Sequence, residues 1–162
     1  MHIPALNITT RPMLDDDEAF SFQVYASTRK AELAATRWSA AEKSAFLRQQ
    51  FAAQHMHYQK HFADGTFEIV LWNEAPIGRL YLHRRTDEIR IVDIALLPQH
   101  CGKGIGTAIL QEILSDATSS GLPVRIHVEK FNPALRLYRR LGFTEIGDQG
   151  VYLLMEYSET AG

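Results

Sequence analysis

The sequence is poor in cysteine and in long apolar runs. A single cysteine among 162 residues excludes an intramolecular disulfide and is typical of a protein kept in a reducing compartment. No apolar run approaches the ~20 residues that a membrane-spanning helix needs. The N-terminal residues also lack the apolar segment of a signal peptide. We therefore predict a cytoplasmic protein that does not contact a membrane.

The chain also lacks an excess of charge of either sign. Its formal net charge of −2 argues against a protein that holds nucleic acid through a broad basic surface. Hydrophobic residues make up 46% of the chain, enough for one globular domain over residues 1–162 with a sizeable core. Any phosphate-binding site must then arise from local backbone geometry.

Periodicity and turn residues predict an α/β fold with a mixed sheet, in the element order βααβββαβαββ. Ser39 and Glu42 form a capping box for the second helix, and Asn132 with Pro133 predicts the start of the fourth. The strands are predicted over 6–10, 67–72, 77–83, 88–97, 124–128, 145–146 and 151–157. The helices are predicted over 15–35, 39–63, 104–119 and 132–141, the first opened by the acidic run 15–18 as a cap.

A glycine-rich stretch, Cys101-Gly102-Lys103-Gly104-Ile105-Gly106-Thr107, joins an apolar strand ending at Leu97 to a predicted helix. Alternate glycines let the backbone turn sharply and leave amide N–H groups uncovered at a helix N-terminus, a favourable place for a phosphate. The spacing matches neither the GxGxxG dinucleotide fingerprint nor the GxxxxGK[ST] P-loop. A glycine-rich turn without a ligand is the alternative.

This loop resembles the acyl-CoA pyrophosphate loop of the GNAT superfamily of N-acetyltransferases. A second segment, Asn132 to Phe143, is similar to the family's N-x-x-A-x-x-L-Y-x-x-x-G-F helix. The element order is also that of the family, so the resemblance covers nearly the whole chain. It implies a GNAT-like fold, with helices on both faces of a mixed central sheet of about seven strands. It also implies an acyl-CoA-dependent N-acetyltransferase of the EC 2.3.1 class.

Two positions depart from the family pattern. Cys101 stands where the family's loop has arginine or glutamine, a harmless change if only the backbone N–H of that residue is used. If the side chain touches phosphate, a charge is lost, for which Lys103, His100 or Arg139 are candidate replacements. Asn132 comes one residue late relative to Tyr138, so it either caps the helix or also reaches the cofactor.

The resemblance implies acetyl-CoA as co-substrate and no metal. The amides from Cys101 to Thr107 would take the pyrophosphate, and the backbone of Ala95, Leu96 and Leu97 would pair with the pantetheine arm like an added strand. His55, His57 and His61 have spacings that suggest a metal site. No nearby cysteine or acidic cluster completes one, and a solvated helix face is the favoured interpretation.

Acetyl transfer also needs a proton for the leaving thiolate and a neutral amine. Tyr138 matches the family's tyrosine, which would donate a hydrogen bond to the sulfur; a core aromatic is the alternative. Converting an amine with a pKa of ~10.4 to its free base at pH 7 costs roughly 4–5 kcal/mol. Asp93, which interrupts an apolar strand, is either a functional carboxylate or paired with a cation. The candidate cations are Arg79, Arg90 and Arg125. His127 is either a base or a surface histidine.

A pool of residues on the first two helices and the hairpin is predicted to line the acceptor pocket, although several would serve as packing. They are Tyr25, Arg29, Trp38, Gln54, Tyr58, Arg79 and Tyr81. Arg29 and Arg79 favour a substrate that carries a carboxylate or phosphate.

The function we predict is transfer of an acetyl group from acetyl-CoA to a primary amine of a small molecule by direct attack. The alternatives are acetylation of a protein N-terminus or lysine, and a non-catalytic acyl-CoA-binding module. The sequence leaves the oligomeric state open, a homodimer included.

Overall fold

A computed structural model of the chain describes residues 1–159. Eight strands form one mixed sheet in the order β1-β2-β3-β4-β5-β6-β8-β7. The strands are β1 (His2–Ile3), β2 (Ile8–Pro12), β3 (Thr66–Trp72), β4 (Ala75–Arg84), β5 (Ile89–Leu96), β6 (Val124–Glu129), β7 (Thr144–Gln149) and β8 (Tyr152–Tyr157). The helices are α1 (Glu18–Ala34), α2 (Ala40–His61), α3 (Ile105–Ser120) and α4 (Leu135–Arg140).

The predicted α/β class is confirmed, with eight strands where about seven were expected. The additional strand is β1, whose two residues pair antiparallel with Ile8 and Thr9. The strand predicted over 6–10 is β2, which begins two residues later, at Ile8. The reason is that Leu6 ends a short 3₁₀ turn and Asn7 adopts a left-handed conformation with φ of 55°.

Local capping explains where α2 begins but does not explain the start of α4. The capping box of α2 is present, with the Ser39 Oγ accepting a hydrogen bond from the Glu42 amide at 3.1 Å. The predicted start of α4 at Asn132 is wrong. The Asn132 Oδ1 accepts from the Ala134 amide at 2.9 Å and its carbonyl accepts from Leu135, so this segment forms a turn before the helix.

Helices cover both faces of the sheet. On one face α3 and α4 pack through Ile109, Leu135 and Tyr138 against a continuous core that includes Ile91 and Ile126. On the other face α1 and α2 pack over β3 and β4. Ring contacts join the helices to each other and to the sheet there: Tyr25 with Phe51, Tyr58 with Tyr81, and Phe67 with Tyr81 across the two strands.

Strand β5 pairs with β4 along its whole length but leaves β6 early. The parallel pairing with β6 covers Ile89 to Ile91 only, although β5 continues to Leu96. A bulge lies at this point, since Tyr81 opposes Asp93 while Leu82 opposes Ile91, which leaves Val92 without a partner. Bulges bend a strand, and here the bend begins an opening that we call the β5–β6 gap.

The close approach of β4 and β5 requires glycine at position 78. A Cβ on Gly78 would lie 2.4 Å from the carbonyl oxygen of Ala95, which belongs to the opposing backbone. We expect Gly78→Ala to lower the free energy of unfolding by about 1–3 kcal/mol or more, because the strands must separate. Chemical denaturation measures this change. Gly147→Ala is the control, since its Cβ would meet Leu154 at an ordinary 3.6 Å; equal effects of the two substitutions would contradict the prediction.

Candidate active site

The β5–β6 gap exposes the backbone of alternate residues of β5. The Leu97 amide donates to the Ile77 carbonyl at 2.8 Å, and in an antiparallel pair such bonds recur at every second residue. The backbone of Ala95 therefore also points to β4, opposite Arg79. Ile94 and Leu96 point their N–H and C=O groups into the gap. Of the three residues expected to pair with an extended ligand, Leu96 faces the gap, whereas Ala95 and Leu97 are bonded to β4.

The glycine-rich loop presents uncovered amides at the end of this gap. Among the described residues, no hydrogen-bond acceptor contacts the amides from Gly102 to Thr107. Gly102 and Gly104 have φ of 75° and 82°, in the left-handed region that favours glycine. Gly104 immediately precedes α3, so the loop and the first turn of that helix place several N–H groups together at a helix N-terminus. Such an arrangement binds phosphate.

Two of the side chains predicted to influence this loop have distinct environments. Cys101 is exposed, and its Sγ lies 3.7 and 3.6 Å from the carbonyl oxygens of Leu96 and Leu97. Lys103 holds its Nζ 5.5 Å from the ring centre of Trp72, which keeps a positive charge beside the loop. The loop therefore has a local cation although Cys101 replaces the family's arginine or glutamine.

Tyr138 lies on α4 at the α3/α4 side of the sheet. It is 5% exposed, packs edge-on against Phe143, and its pKa is raised to about 12 by burial and then by the charge of Asp93. The phenol is consequently protonated at neutral pH and can act as a hydrogen-bond donor. Tyr138 is a packed core aromatic in this structure.

Asp93 is paired with Arg79, one of the three cations considered from the sequence. The Arg79 Nη2 lies 2.5 Å from the Asp93 Oδ2, a close ionic contact without the alignment of a hydrogen bond. Arg90 and Arg125 instead contact the buried carboxylate of Glu88. The Asp93 side chain stays 20% exposed, whereas Arg79 is 2% exposed. Asp93 is the second residue beyond the last β5–β6 pair, at the beginning of the gap.

The remaining guanidinium contacts of Arg79 tie both covering helices to β4. Its Nη1 donates to the Ser21 Oγ of α1 at 3.1 Å, and its Nη2 donates to the Gln54 Oε1 of α2 at 2.9 Å. Tyr81 shares the Ser21 hydroxyl at 2.7 Å. These contacts form one polar cluster beneath α1 and α2, with Asp93 at its gap side.

Tyrosines surround the cluster. The ring centres of Tyr81 and Tyr25 lie 5.0 and 5.7 Å from the Arg79 guanidinium carbon. Burial raises the pKa of Tyr58 and of Tyr81, and the charge of Asp93 raises both further. These phenols are therefore neutral at physiological pH, and they neither supply nor remove charge around the ion pair.

His127 is held by a neighbouring cation. Its Nδ1 lies 2.8 Å from the Arg90 Nη1, which donates to it, and its pKa is lowered by burial and then by the Arg90 charge. The imidazole is neutral at pH 7, but the lone pair of this nitrogen is already occupied. That contact weakens the interpretation of His127 as the base.

The expected anion-binding role of Arg29 and Arg79 is not supported. Arg29 forms a two-point contact with Glu32 on α1, at 2.8 and 2.7 Å, and also donates to the Tyr25 hydroxyl. Arg79 is neutralised by Asp93. Trp38 lies between α1 and α2 and packs on Phe46 with its ring 40% exposed, away from this polar cluster.

Ser21 is the main residue of the cluster that the sequence did not identify. It occupies an ordinary position of an amphipathic helix, and no local pattern marks its bonds to Arg79 and Tyr81, which lie 58 and 60 residues away. The bulge at Val92 likewise has no glycine or proline to signal it.

Over residues 1–159, no group of three or more His, Cys, Asp or Glu side chains is arranged to hold a metal ion. Within the same range, the helices are too short or too polar to cross a membrane.

The geometry agrees with comparisons to known proteins. A sequence model of the acetyltransferase (GNAT) family matches residues 29–143. The chain therefore belongs to the GNAT family and is an acyl-CoA-dependent acetyltransferase.

Solved structures of this fold are similar over nearly their whole length. The PaiA N-acetyltransferase of Thermoplasma acidophilum, in complex with coenzyme A, is 20% identical with a TM-score of 0.70, covering 93% of this chain and 98% of its own. The ribosomal-protein-S18-alanine N-acetyltransferase of Escherichia coli is 19% identical with a TM-score of 0.61, covering 96% of both chains. A GNAT acetyltransferase of Elizabethkingia anophelis with acetyl-CoA bound is 16% identical with a TM-score of 0.60, covering 94% and 98%.

The loop can be tested at Gly106, where a methyl group fits the free protein. Its Cβ would meet only the Leu96 Cδ1 at 3.9 Å, so Gly106→Ala keeps the fold and gains about 1 kcal/mol of helix propensity. The methyl group would fill space beside the uncovered amides, where a ligand must approach the backbone closely. We expect the Kd for coenzyme A to rise at least about tenfold, or ~1.4 kcal/mol, in titration calorimetry.

Ser119→Ala, on the exposed end of the same helix, is the matched control and should bind coenzyme A as the unmodified protein does. Unchanged affinity in Gly106→Ala would remove the first turn of α3 from the binding site.

Proposed function

We propose that this protein transfers the acetyl group of acetyl-CoA to the primary amine of a small molecule. The observation that carries the proposal is the β5–β6 gap, which begins beside Asp93 and ends at the uncovered amides of Gly102 to Thr107. An extended cofactor with a diphosphate at one end fits both features. The single cysteine, exposed and unpaired, agrees with a reducing compartment, and we place the protein in the cytoplasm.

In this proposal the loop amides bind the pyrophosphate, assisted by the charge of Lys103. The pantetheine arm lies along β5 and pairs with the backbone groups of Leu96 and Ile94 that β6 leaves unpaired, as an extended ligand adds to an open sheet edge. The side-chain oxygen Oδ1 of Asn132 already accepts a hydrogen bond from the Ala134 amide, so the side-chain nitrogen Nδ2 is the atom available to the cofactor. The relatives with coenzyme A or acetyl-CoA bound support this assignment.

The proposed reaction is direct attack of the acceptor amine on the thioester of acetyl-CoA. The acceptor ammonium first releases one proton to water, because only the free amine carries a lone pair. Its nitrogen attacks the thioester carbon, a C–N bond forms and the C–S bond breaks. The nitrogen loses its second proton and the departing sulfur gains one. In this proposal Tyr138, protonated at neutral pH, supplies the hydrogen bond or proton to sulfur.

A small acceptor is favoured by the covering of the Asp93 side. Helices α1 and α2 lie over this face, and their Ser21 and Gln54 are bonded directly to Arg79. Tyr81, which opposes Asp93 in the sheet, is in turn packed edge-on against Tyr58 of α2. The E. coli relative named for a ribosomal-protein alanine makes a protein N-terminus the second candidate acceptor.

Thiol release from acetyl-CoA, measured with small primary amines and with short peptides carrying a free N-terminus, tests the proposal. We expect turnover with a small amine and little with peptides. Turnover restricted to peptides would assign the second acceptor class. Tight binding of coenzyme A without thiol release from any amine would identify a non-catalytic binding module.

Tyr138→Phe tests the donor to sulfur without disturbing the packing of the ring. We expect kcat to fall by about 10²–10⁴-fold, the range of a lost general acid, while the KM for acetyl-CoA changes little. Tyr157→Phe is the control, because it removes a phenol hydroxyl from a ring that packs on the same Phe143. A Tyr138→Phe enzyme with unchanged kcat would assign Tyr138 to the core alone.

A further inference from the structure

A carboxylate beside the acceptor site creates a difficulty for the proposed reaction. An isolated Asp93 would attract the acceptor as its ammonium ion, and an opposite charge in contact raises the pKa of an amine by about 1–3. The fraction of free amine at neutral pH would then fall by a further factor of about 10 to 1,000. The amine would bind well and react slowly.

Arg79 removes this difficulty by its position. Its guanidinium is 2% exposed and lies against Oδ2 of Asp93, while the Asp93 side chain stays 20% exposed. Arginine remains charged at every relevant pH. The pair as a whole is therefore neutral toward an approaching amine, and Oδ1 of Asp93, the oxygen that does not contact Arg79, is the atom that accepts an N–H hydrogen bond.

We propose that Arg79 is a positioning residue whose charge cancels that of Asp93, so that Asp93 orients the acceptor as a free amine instead of holding it as an ammonium ion. This inference rests on the proposed acceptor side of the gap. The role is specific to Arg79, because Ser21 and Gln54 hold its guanidinium from α1 and α2 and fix it on this carboxylate.

The other titratable groups around Asp93 do not replace this counter-charge. The phenols whose pKa the Asp93 charge raises are neutral at physiological pH: Tyr58 on α2, Tyr81 on β4 and Tyr138 on α4. Arg90, on the same strand as Asp93, is paired with Glu88 and His127. Tyr25 of α1 contacts the Arg79 guanidinium with its ring. Among residues 1–159, Arg79 is the cation in salt-bridge contact with Asp93.

The test compares two substitutions with opposite expected signs, using the pH dependence of kcat for the best small amine found. Arg79→Met leaves Asp93 uncompensated. In the unmodified enzyme kcat increases with pH as the bound amine loses its proton. We expect the midpoint of this increase to rise by about 1–3 pH units in Arg79→Met, and kcat at pH 7 to fall at least about tenfold. The KM for the amine should stay the same or fall. Asp93→Asn leaves Arg79 uncompensated, so the midpoint should move to lower pH while the KM for the amine rises.

Two further variants keep the test decisive if a single substitution unfolds the protein. The double variant Arg79→Met with Asp93→Asn carries neither charge, and its midpoint should lie near that of the unmodified enzyme. Arg79→Lys keeps the charge and should keep the midpoint.

The control is Arg11→Met, which breaks the ion pair between Arg11 of β2 and Asp17. It should leave kcat and its pH dependence unchanged.

A purely structural role of Arg79 would lower activity in both single variants without moving the midpoints apart, and that result would overturn the inference. So would a double variant or Arg79→Lys with a midpoint displaced as far as either single variant. Absence of thiol release by the unmodified protein with every amine would instead refute the proposed function, and the two failures are thus distinguishable.

Discussion

The structure depends on how β5 divides its backbone hydrogen bonds between two neighbours. It pairs with β4 over its full length, but with β6 for three residues only. A parallel strand in the middle of a sheet normally satisfies both edges, and a half-paired strand leaves buried polar groups that need another partner. The backbone groups of Ile94 and Leu96 that face the gap are therefore the groups available to an extended ligand in the proposed function. The bulge at Val92 provides this opening while the pairing with β4 continues beyond it.

The same bend determines the chemistry on each side of the sheet. Because the strands separate beside Asp93, this carboxylate is near the cluster beneath α1 and α2 and is also electrostatically coupled to Tyr138 of α4. A thioester placed in the gap would have a phenol on one face and a polar cluster on the other. Attack by an amine and departure of a thiolate require different groups, and the divided sheet separates them without a further domain.

Features encoded by neighbouring residues were predictable from the sequence. The glycine loop, the capping box at Ser39 and the family pattern ending at Phe143 each lie within a dozen or so residues, where backbone preference and spacing are informative. The failure at Asn132 was also local: its side chain caps a turn instead of a helix, and both uses favour the same residue. By contrast, the bulge at Val92 and the direction of each β5 amide depend on the register with β4.

The charge cluster shows most clearly why part of the site could not be predicted. The sequence left Asp93 either functional or paired with one of three arginines, and two of those arginines, Arg90 and Arg125, are bound by Glu88. Arg79 was thereby left for Asp93 and lost the anion-binding role that its residue type suggested. A buried ion pair contributes little net stability after desolvation of both groups, and in the proposed function this pair controls the charge at the beginning of the gap. The proposed reaction needs an acceptor amine that is oriented there without being kept protonated, and a neutral pair with a partly exposed Asp93 side chain meets both requirements.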